Sequence, residues 1–411
     1  MSSGTTPQPE LSATTSGMAV PARRPFQAGG VLLVSLGHFI HDVYSSFLAP
    51  LLPLIIEKLS LSLTRAGLLT TVMQLPALLN PLIGVWADRF STRWFIILAP
   101  ALTAVPMSLI GLAPSYGVLL LLLFISGISV SLFHVPAPVM VAKLSGDFKG
   151  RGMSFFMTGG ELARTVGPLA AVGAVSLLGL EGFYPVMLLG LLSSLWLYLK
   201  FKDVRISGIG RRSITLGGTW REMRHVLLPL VAILVARGFM HAAMVTFLPT
   251  FIQEESGDLW LAGISLTLVE GAGVAGALTA GFLSDTFGRR RVLMVSLIGA
   301  PITLMGFIWL DGWLRFAALV VTGFTLLSTT PVMLALVQEQ RPTGSAAANG
   351  IFMMASFMAR SSVVVVVGFL GDLIGLRATY LCSALLGLAG IPFILLLPSQ
   401  KGSETAMAAS G

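Results

Sequence analysis

GVWADRFSTRWFI (84–96) and GFLSDTFGRRRVL (281–293) carry one pattern twice, G-x-x-x-D-R/T-x-x-x-R, in a chain where charge is otherwise scarce. In each copy a glycine (Gly84, Gly281) permits close helix contact, and an acid (Asp88, Asp285) can accept from a neighbouring helix N-terminus and from nearby arginines (Arg89, Arg93, Arg289). Apolar runs of roughly 20 residues, the length that crosses a bilayer's hydrocarbon, flank both copies. A plain basic loop explains the arginines but not two spaced copies. Each segment therefore reads as a cytoplasmic turn between two spanning helices, one in each half of the chain.

Working outward, the apolar runs predict helices near 30–53, 64–87, 94–112, 117–142, 152–178 and 182–200, then 225–251, 260–283, 291–310, 313–338, 346–371 and 376–397. The expected fold is an all-α membrane protein with twelve transmembrane helices in two six-helix bundles, 30–200 and 225–397. Residues 1–29 and 398–411 read as cytoplasmic tails, the first disordered, and 201–224 as a cytoplasmic linker carrying Lys202, Arg205, Arg211, Arg212, Arg221 and Arg224. Composition agrees: 55% hydrophobic, 11% charged, mean hydropathy +0.87, too little polar surface to cover a globule. A single cysteine excludes an intramolecular disulfide, and five histidines without a CxxC exclude a zinc-ribbon site.

Of the 26 Lys and Arg, 19 fall in cytoplasmic segments when both termini are placed inside, against four outside (Lys58, Arg65, Arg315, Arg377). The net charge of +8 is thus topology, not nucleic-acid affinity. The halves also resemble each other. GHFIHDVYSSFLAPLL (37–52) aligns without gaps on RGFMHAAMVTFLPTFI (237–252), and Arg164 falls opposite Arg360. Such a parallel repeat places a substrate site between the halves at mid-membrane depth, reached alternately from each side.

The repeated loop segments resemble the loop 2–3 and loop 8–9 signature of the major facilitator superfamily, where they latch one conformation. Ser91 stands where the first copy's signature has glycine. GMSFFMTGGELARTVGPLAAVG (152–173) contains Gly167-Pro168, similar to the glycine-proline motif of proton-coupled exporters in that superfamily, which implies a bend in the fifth helix. The family's basic helix-four motif is absent, with Leu123 and Phe124 in its place. Together with GHFIHDVYSSFLAPLLPLI (37–55) and FHVPAPVMVAKLSG (133–146), these segments resemble the fosmidomycin-resistance family of drug exporters. The resemblance implies efflux of a small anionic phosphonate at the expense of the proton gradient from a bacterial inner membrane. GAGVAG (271–276) matches a dinucleotide fingerprint, but inside an apolar run small residues at helix spacing read as packing.

The ionisable residues inside helices carry the functional expectation. Asp42, Glu161, Arg164, Arg237, Glu270 and Arg360 fall roughly 12–21 Å from their helix starts, near the middle of a ~30 Å core. A charge there costs about 2.5–3.5 kcal/mol on lenient insertion scales, so each needs a partner or a wet cavity. Glu161 and Arg164 read either as a structural ion pair or as groups with separate tasks. Arg164, Arg360 and Arg237 are candidates to grip an anion, because guanidinium matches phosphonate oxygens bidentately; Arg237 alternatively meets a helix end or Glu270. His38, His41 and Asp42 share one helical face, with His134 and His241 as possible neighbours and Tyr44 as a further substrate contact. Asp42, with His41, Glu161 and Glu270, is the expected proton-coupling set, since burial disfavours a carboxyl's charged form. No cofactor beyond the proton gradient and no metal ion is expected, because nothing fixes further ligands around the histidines. No nucleophile–base, metalloprotease or Walker pattern supports an enzyme. The expected partners are a small molecule, protons and lipid, with the chain a monomer. Alternatives are an uptake symporter or anion exchanger for an organic phosphate, a divalent-metal transporter and a non-transporting sensor.

Overall fold

The computed structural model describes residues 25–80, 83, 93–146, 148–202, 216–340 and 345–398, and every regular element among them is helical. Among the described residues ten helices are long and apolar enough to cross a membrane, and Leu63–Leu79 is a shorter apolar helix. One of the ten, Ile351–Leu395, turns at Gly375, whose φ of 77° suits glycine. The first half contains α1 (Ala28–Ser45), α2 (Leu48–Leu59), α3 (Leu63–Gln74), α4 (Arg93–Leu109), α5 (Tyr116–His134), α6 (Ala137–Leu144), α7 (Lys149–Leu178) and α8 (Met187–Phe201). The second contains α9 (Leu216–His241), α10 (Leu248–Ser256), α11 (Leu259–Phe287), α12 (Arg289–Trp309), α13 (Gly312–Gln340), α14 (Ser345–Leu388) and α15 (Ile391–Leu395).

The apolar runs give these helices with ends displaced by a few residues. The largest difference is α9, which begins at Leu216, inside the segment expected as linker. Hydropathy reports where hydrocarbon ends, whereas a helix's hydrogen bonds continue into the polar interface.

Two helices are interrupted at positions that match in the alignment of 37–52 with 237–252. Between α1 and α2 the helix breaks at Ser46-Phe47; between α9 and α10 it passes through a π-helical turn, Ala242–Phe247. Ser45 and Ser46 hydroxyls both donate to the Asp42 carbonyl, at 2.9 and 2.8 Å, which keeps backbone satisfied at the break.

The apolar cores divide by level. One shared core takes residues from both halves: Tyr44 to Ile55, Leu61 to Leu69, Ala104 to Leu123 and Ala171 to Phe183 from the first, Met240 to Val269, Ala300 to Leu326 and Val363 to Ala384 from the second. At the other end each half has its own core, Val31 to Val34 with Ile96, Met140, Phe156 and Phe201 in one, and Met223 to Leu234 with Leu293, Leu336, Phe352 and Ile394 in the other. Among the described residues the halves thus share one core on one side and keep separate cores on the side of Lys143, Arg224 and Arg289.

Two seams hold the joined side. Helix α7 packs on α11, and α3 packs on α14. At the second seam backbones approach so closely that a Cβ on Gly67 would lie 2.8 Å from the Val364 carbonyl oxygen and one on Gly368 2.4 Å from that of Leu63. Thr71 donates to the Ser361 carbonyl at 2.8 Å. Asp372 accepts from the Leu63 and Thr64 amides at 2.6 and 2.9 Å and from the Thr64 hydroxyl, capping the N-terminus of α3 across the seam.

Candidate functional site

The embedded ionisable residues sit at the level where one core becomes two. Asp42 lies between Val34 of a separate core and Tyr44 of the shared one, and Arg164 between Phe156 and Ala171. Arg237 falls between Leu234 and Met240, Glu270 between Val269 and Ala280, and Arg360 between Ala359 and Val363. This is the apex of the cleft that parts the halves. The expected common depth of these residues is reproduced by packing.

Two groupings form there. On the first half, His41 Nδ1 lies 2.8 Å from Asp42 Oδ1, His38 Nε2 lies 3.2 Å from Asp42 Oδ2, and His134 Nε2 lies 3.6 Å from Asp42 Oδ1. His38 stacks on Phe156 and His41 on Phe133, so both rings are buried and their orientations fixed. The Nε2 of His41 has no hydrogen-bond partner among the described residues. His38 Nδ1 is 2.8 Å from the Phe156 carbonyl and His134 Nδ1 is 3.0 Å from that of Val130. Because a carbonyl only accepts, each ring carries a proton on Nδ1, and the two Nε2 atoms face each other at 3.3 Å. Two bare nitrogens beside a carboxylate repel one another, so either a proton on one Nε2 or a cation among them settles the arrangement.

The second grouping is the arginines. Glu161 and Arg164 form an ion pair one turn apart on the cleft wall, with Arg164's side chain 45% exposed. Arg164 also interacts electrostatically with Glu270 and Asp42, which links the two groupings. Arg237 is buried and has no carboxylate within 4.0 Å among the described residues; it donates to Thr330 Oγ1 at 3.2 Å and to the Leu326 carbonyl at 3.1 Å. The contact to Glu270 that the sequence left open is therefore replaced by a hydroxyl and a helix carbonyl of α13. Arg360 lies over the Phe357 ring at 4.8 Å. The Nε atoms of both Arg237 and Arg360 are buried without a partner among the described residues. Arg237 interacts electrostatically with Arg360, Arg360 with Arg164, and His241 with all three.

Other expected site residues fall elsewhere. Tyr44 does not face the cleft: it is 2% exposed, donates to the Val186 carbonyl and packs on Phe47, so it is core, not a substrate contact. Helix α7 runs through Pro168 from Lys149 to Leu178 without interruption, and the break lies in its partner, where a Cβ on Gly167 would meet Ser46 Cβ at 2.7 Å. Arg93 opens α4 and lies over the Trp94 ring at 5.6 Å. Gly84, Asp88 and Arg89 lie outside the described residues. In the second copy of the motif Arg289 binds Asp285 at 2.5 Å, Glu339 at 2.7 Å, and Ser284. A Cβ on Gly281 would meet nothing within 4 Å, so the close contact expected there is absent among the described residues. The turn itself requires Gly288, at φ 92°. GAGVAG is packing, as read: a Cβ on Gly276 would lie 2.0 Å from the Phe324 carbonyl oxygen of α13.

Thr330, Phe357 and the ring-stacking pair Phe133 and Phe156 were not singled out in the sequence. An apolar or hydroxyl residue in a spanning helix carries no signal of what it touches. Phe133 is the chain neighbour of His134, which the sequence does single out.

The sequence matches the family profile of the Major Facilitator Superfamily over residues 34–362 and 260–409. It is 26% identical to the fosmidomycin resistance protein of Escherichia coli (strain K12), an alignment covering 97% of this chain and 98% of that one. It is 28% identical to the probable nitrate/nitrite antiporter NarK1 of Thermus thermophilus over 52% of this chain and 51% of that one. Among solved structures, the fold is similar to an inward-facing bacterial homologue of the human lysosomal transporter Spinster (TM-score 0.74, 16% identity, 91% and 95% coverage) and to a D-xylose-proton symporter (TM-score 0.71, 15% identity, 90% and 98% coverage). Helices that span, a cleft between two halves and a family match over most of the chain agree: this multi-pass membrane protein belongs to the major facilitator superfamily of transporters, is not an enzyme, and resembles the fosmidomycin-resistance family.

Proposed function

We propose that the chain is a proton-coupled antiporter that exports a small anionic compound of the phosphonate class from a bacterial inner membrane. It works as a monomer with both termini cytoplasmic, by alternating access between two six-helix pseudo-repeats of a twelve-helix fold. The observation that carries this reading is the pair Arg237 and Arg360, two guanidiniums at the cleft apex with no carboxylate partner among the described residues and each with a buried, unpartnered Nε. An uncompensated charge at that depth is costly, and an anion entering the cleft removes the cost. Arg164, paired with Glu161, stands on the facing wall. The matched interruptions at 46–47 and 246–247 support both the repeat and the position of the site.

Asp42 and Glu270 are the carboxyls suited to carry the exchanged proton, because each feels Arg164, so that an anion bound there changes their protonation. Both relatives named above fit an anion: one by the antibiotic in its name, the other by nitrate and nitrite.

A binding cycle on Glu161 and Arg164 tests the grip. With fosmidomycin as probe, Arg164→Gln alone and the Glu161→Gln, Arg164→Gln double variant should each bind at least about tenfold more weakly, from the loss of about 1.5–3 kcal/mol of charge-assisted hydrogen bonding. Near-parental affinity in the double variant would show that Arg164 only balances Glu161. In proteoliposomes holding a pH dye, Asp42→Asn should abolish substrate-dependent proton movement. Undiminished proton release would remove Asp42 from coupling.

A further inference from the structure

His38 Nε2, Asp42 and His134 Nε2 bring three lone-pair donors from α1 and α5 within 4.8 Å of one another. The sequence placed two of them on one helical turn, and the fold supplies the third from another helix. Both imidazoles have Nδ1 committed to a backbone carbonyl, Phe156 at 2.8 Å and Val130 at 3.0 Å, the outer-shell contact that aims Nε2 at a metal. His41 donates to Asp42 Oδ1 at 2.8 Å and leaves Oδ2 turned toward His38.

The spacing matches an ion at the centre. Two ligand atoms about 2.0–2.1 Å from a tetrahedral zinc lie roughly 3.3 Å apart. Here His38 Nε2 lies 3.3 Å from His134 Nε2 and 3.2 Å from Asp42 Oδ2, while His134 Nε2 lies 3.6 Å from Asp42 Oδ1, the oxygen that also meets His41, so the two nitrogens stand at ligand spacing with one carboxylate oxygen beside each. His38 and Asp42 side chains are 4% and 6% exposed but that of His134 is 37%, so the remaining position opens on the cleft. Two imidazoles and one carboxylate suit zinc and its neighbours. Calcium and magnesium take oxygen ligands instead.

We propose that His38, Asp42 and His134 bind one divalent transition-metal ion of the zinc type, three-coordinate from the protein with its fourth position facing the cleft. The proposal does not depend on which solute the arginines bind; because a metal ligand must be deprotonated, the ion and the exchanged proton occupy Asp42 in turn.

Tag-free protein in detergent, titrated with Co2+ and then Zn2+, tests it. One Co2+ per chain should give the intense visible absorption of a four-coordinate ion, and Zn2+ should displace it. His38→Gln, Asp42→Asn and His134→Gln should each weaken Zn2+ binding at least about tenfold. His225→Gln, at an exposed position on α9, should bind as the parent does. His38→Cys should retain the ion and add a thiolate-to-cobalt charge-transfer band, a result that packing alone does not produce. His134 is half-exposed, so its variant remains informative even if His38→Gln fails to fold. Absence of a Co2+ spectrum in the parent at equimolar ion, or parental Zn2+ affinity in His134→Gln, would overturn the assignment.

Discussion

Replacing Asp372 by alanine removes a cap that exists only while the halves are joined. In the joined state its carboxylate takes the Leu63 and Thr64 amides, while Ser62 Oγ takes the Arg65 amide at 3.2 Å and the Ser62 carbonyl the Ala66 amide at 3.0 Å. The first turn of α3 is thereby fully satisfied, half of it from the other bundle. When the seam parts, water replaces Asp372, so the loss weighs on the joined state alone. An N-cap is worth about 0.5–2 kcal/mol, and one or two kcal/mol is a factor of roughly 5–30 in a two-state ratio. Asp372→Ala should move the joined-to-parted ratio by about that factor, with Thr64→Ala giving a smaller shift because only the hydroxyl contact goes. Spin labels on cysteines replacing Glu57 and Trp313, both exposed, in a Cys382→Ser background would report it as a longer-distance population. Identical distance distributions in Asp372→Ala and the parent would refute the role of the cap.

Gly276→Leu places a side chain against the Phe324 carbonyl and should destabilise by at least about 1–3 kcal/mol in thermal unfolding followed by tryptophan fluorescence, while Gly281→Ala, with open space around it, should not. Asp285→Asn should change that unfolding by less than about 1 kcal/mol, because its side chain is 65% exposed and Arg289 keeps Glu339. The hydrogen bond and charge of Lys58, at 2.7 Å, hold the Glu181 carboxyl below the ordinary glutamate range. A carboxyl so lowered stabilises the fold above that range and stops doing so as pH falls through the lowered value. The difference in unfolding temperature between the parent and Glu181→Gln should therefore be present at neutral pH and vanish in acid; a pH-independent difference would assign the effect to something other than this charge.

Apolar run lengths placed the helices because hydrocarbon thickness imposes a length that any reader can count. The buried ionisable residues were legible for the same reason: Asp42, Arg164, Arg237, Glu270 and Arg360 are conspicuous in lipid, and packing puts all of them at one level. What they touch was not legible. Arg237 meets Thr330 and a carbonyl because α9 and α13 lie side by side, a tertiary fact with no trace in spacing. Asp372 falls in the short gap between the runs 346–371 and 376–397, and its partner is some 300 residues away in sequence. Tyr44 stands two residues from Asp42, on the other side of α1, and that side is turned into the core. The break at Ser46 went unnoticed because serine and phenylalanine are ordinary in a spanning helix, and the interruption follows from how α7 packs on α1.

The division of the apolar interior into one shared and two separate cores sets which face of the membrane can address the protein. A solute arriving from the joined side meets continuous hydrocarbon packing and must wait for the seam to part. One arriving from the side of the basic segments reaches Arg164 and His134 by diffusion alone. Vesicles of opposite orientation should therefore differ in how fast they bind, even where the equilibrium constants agree. An inhibitor that fits this cleft has to reach the membrane face on which the basic segments lie, or be drawn from the leaflet on that side.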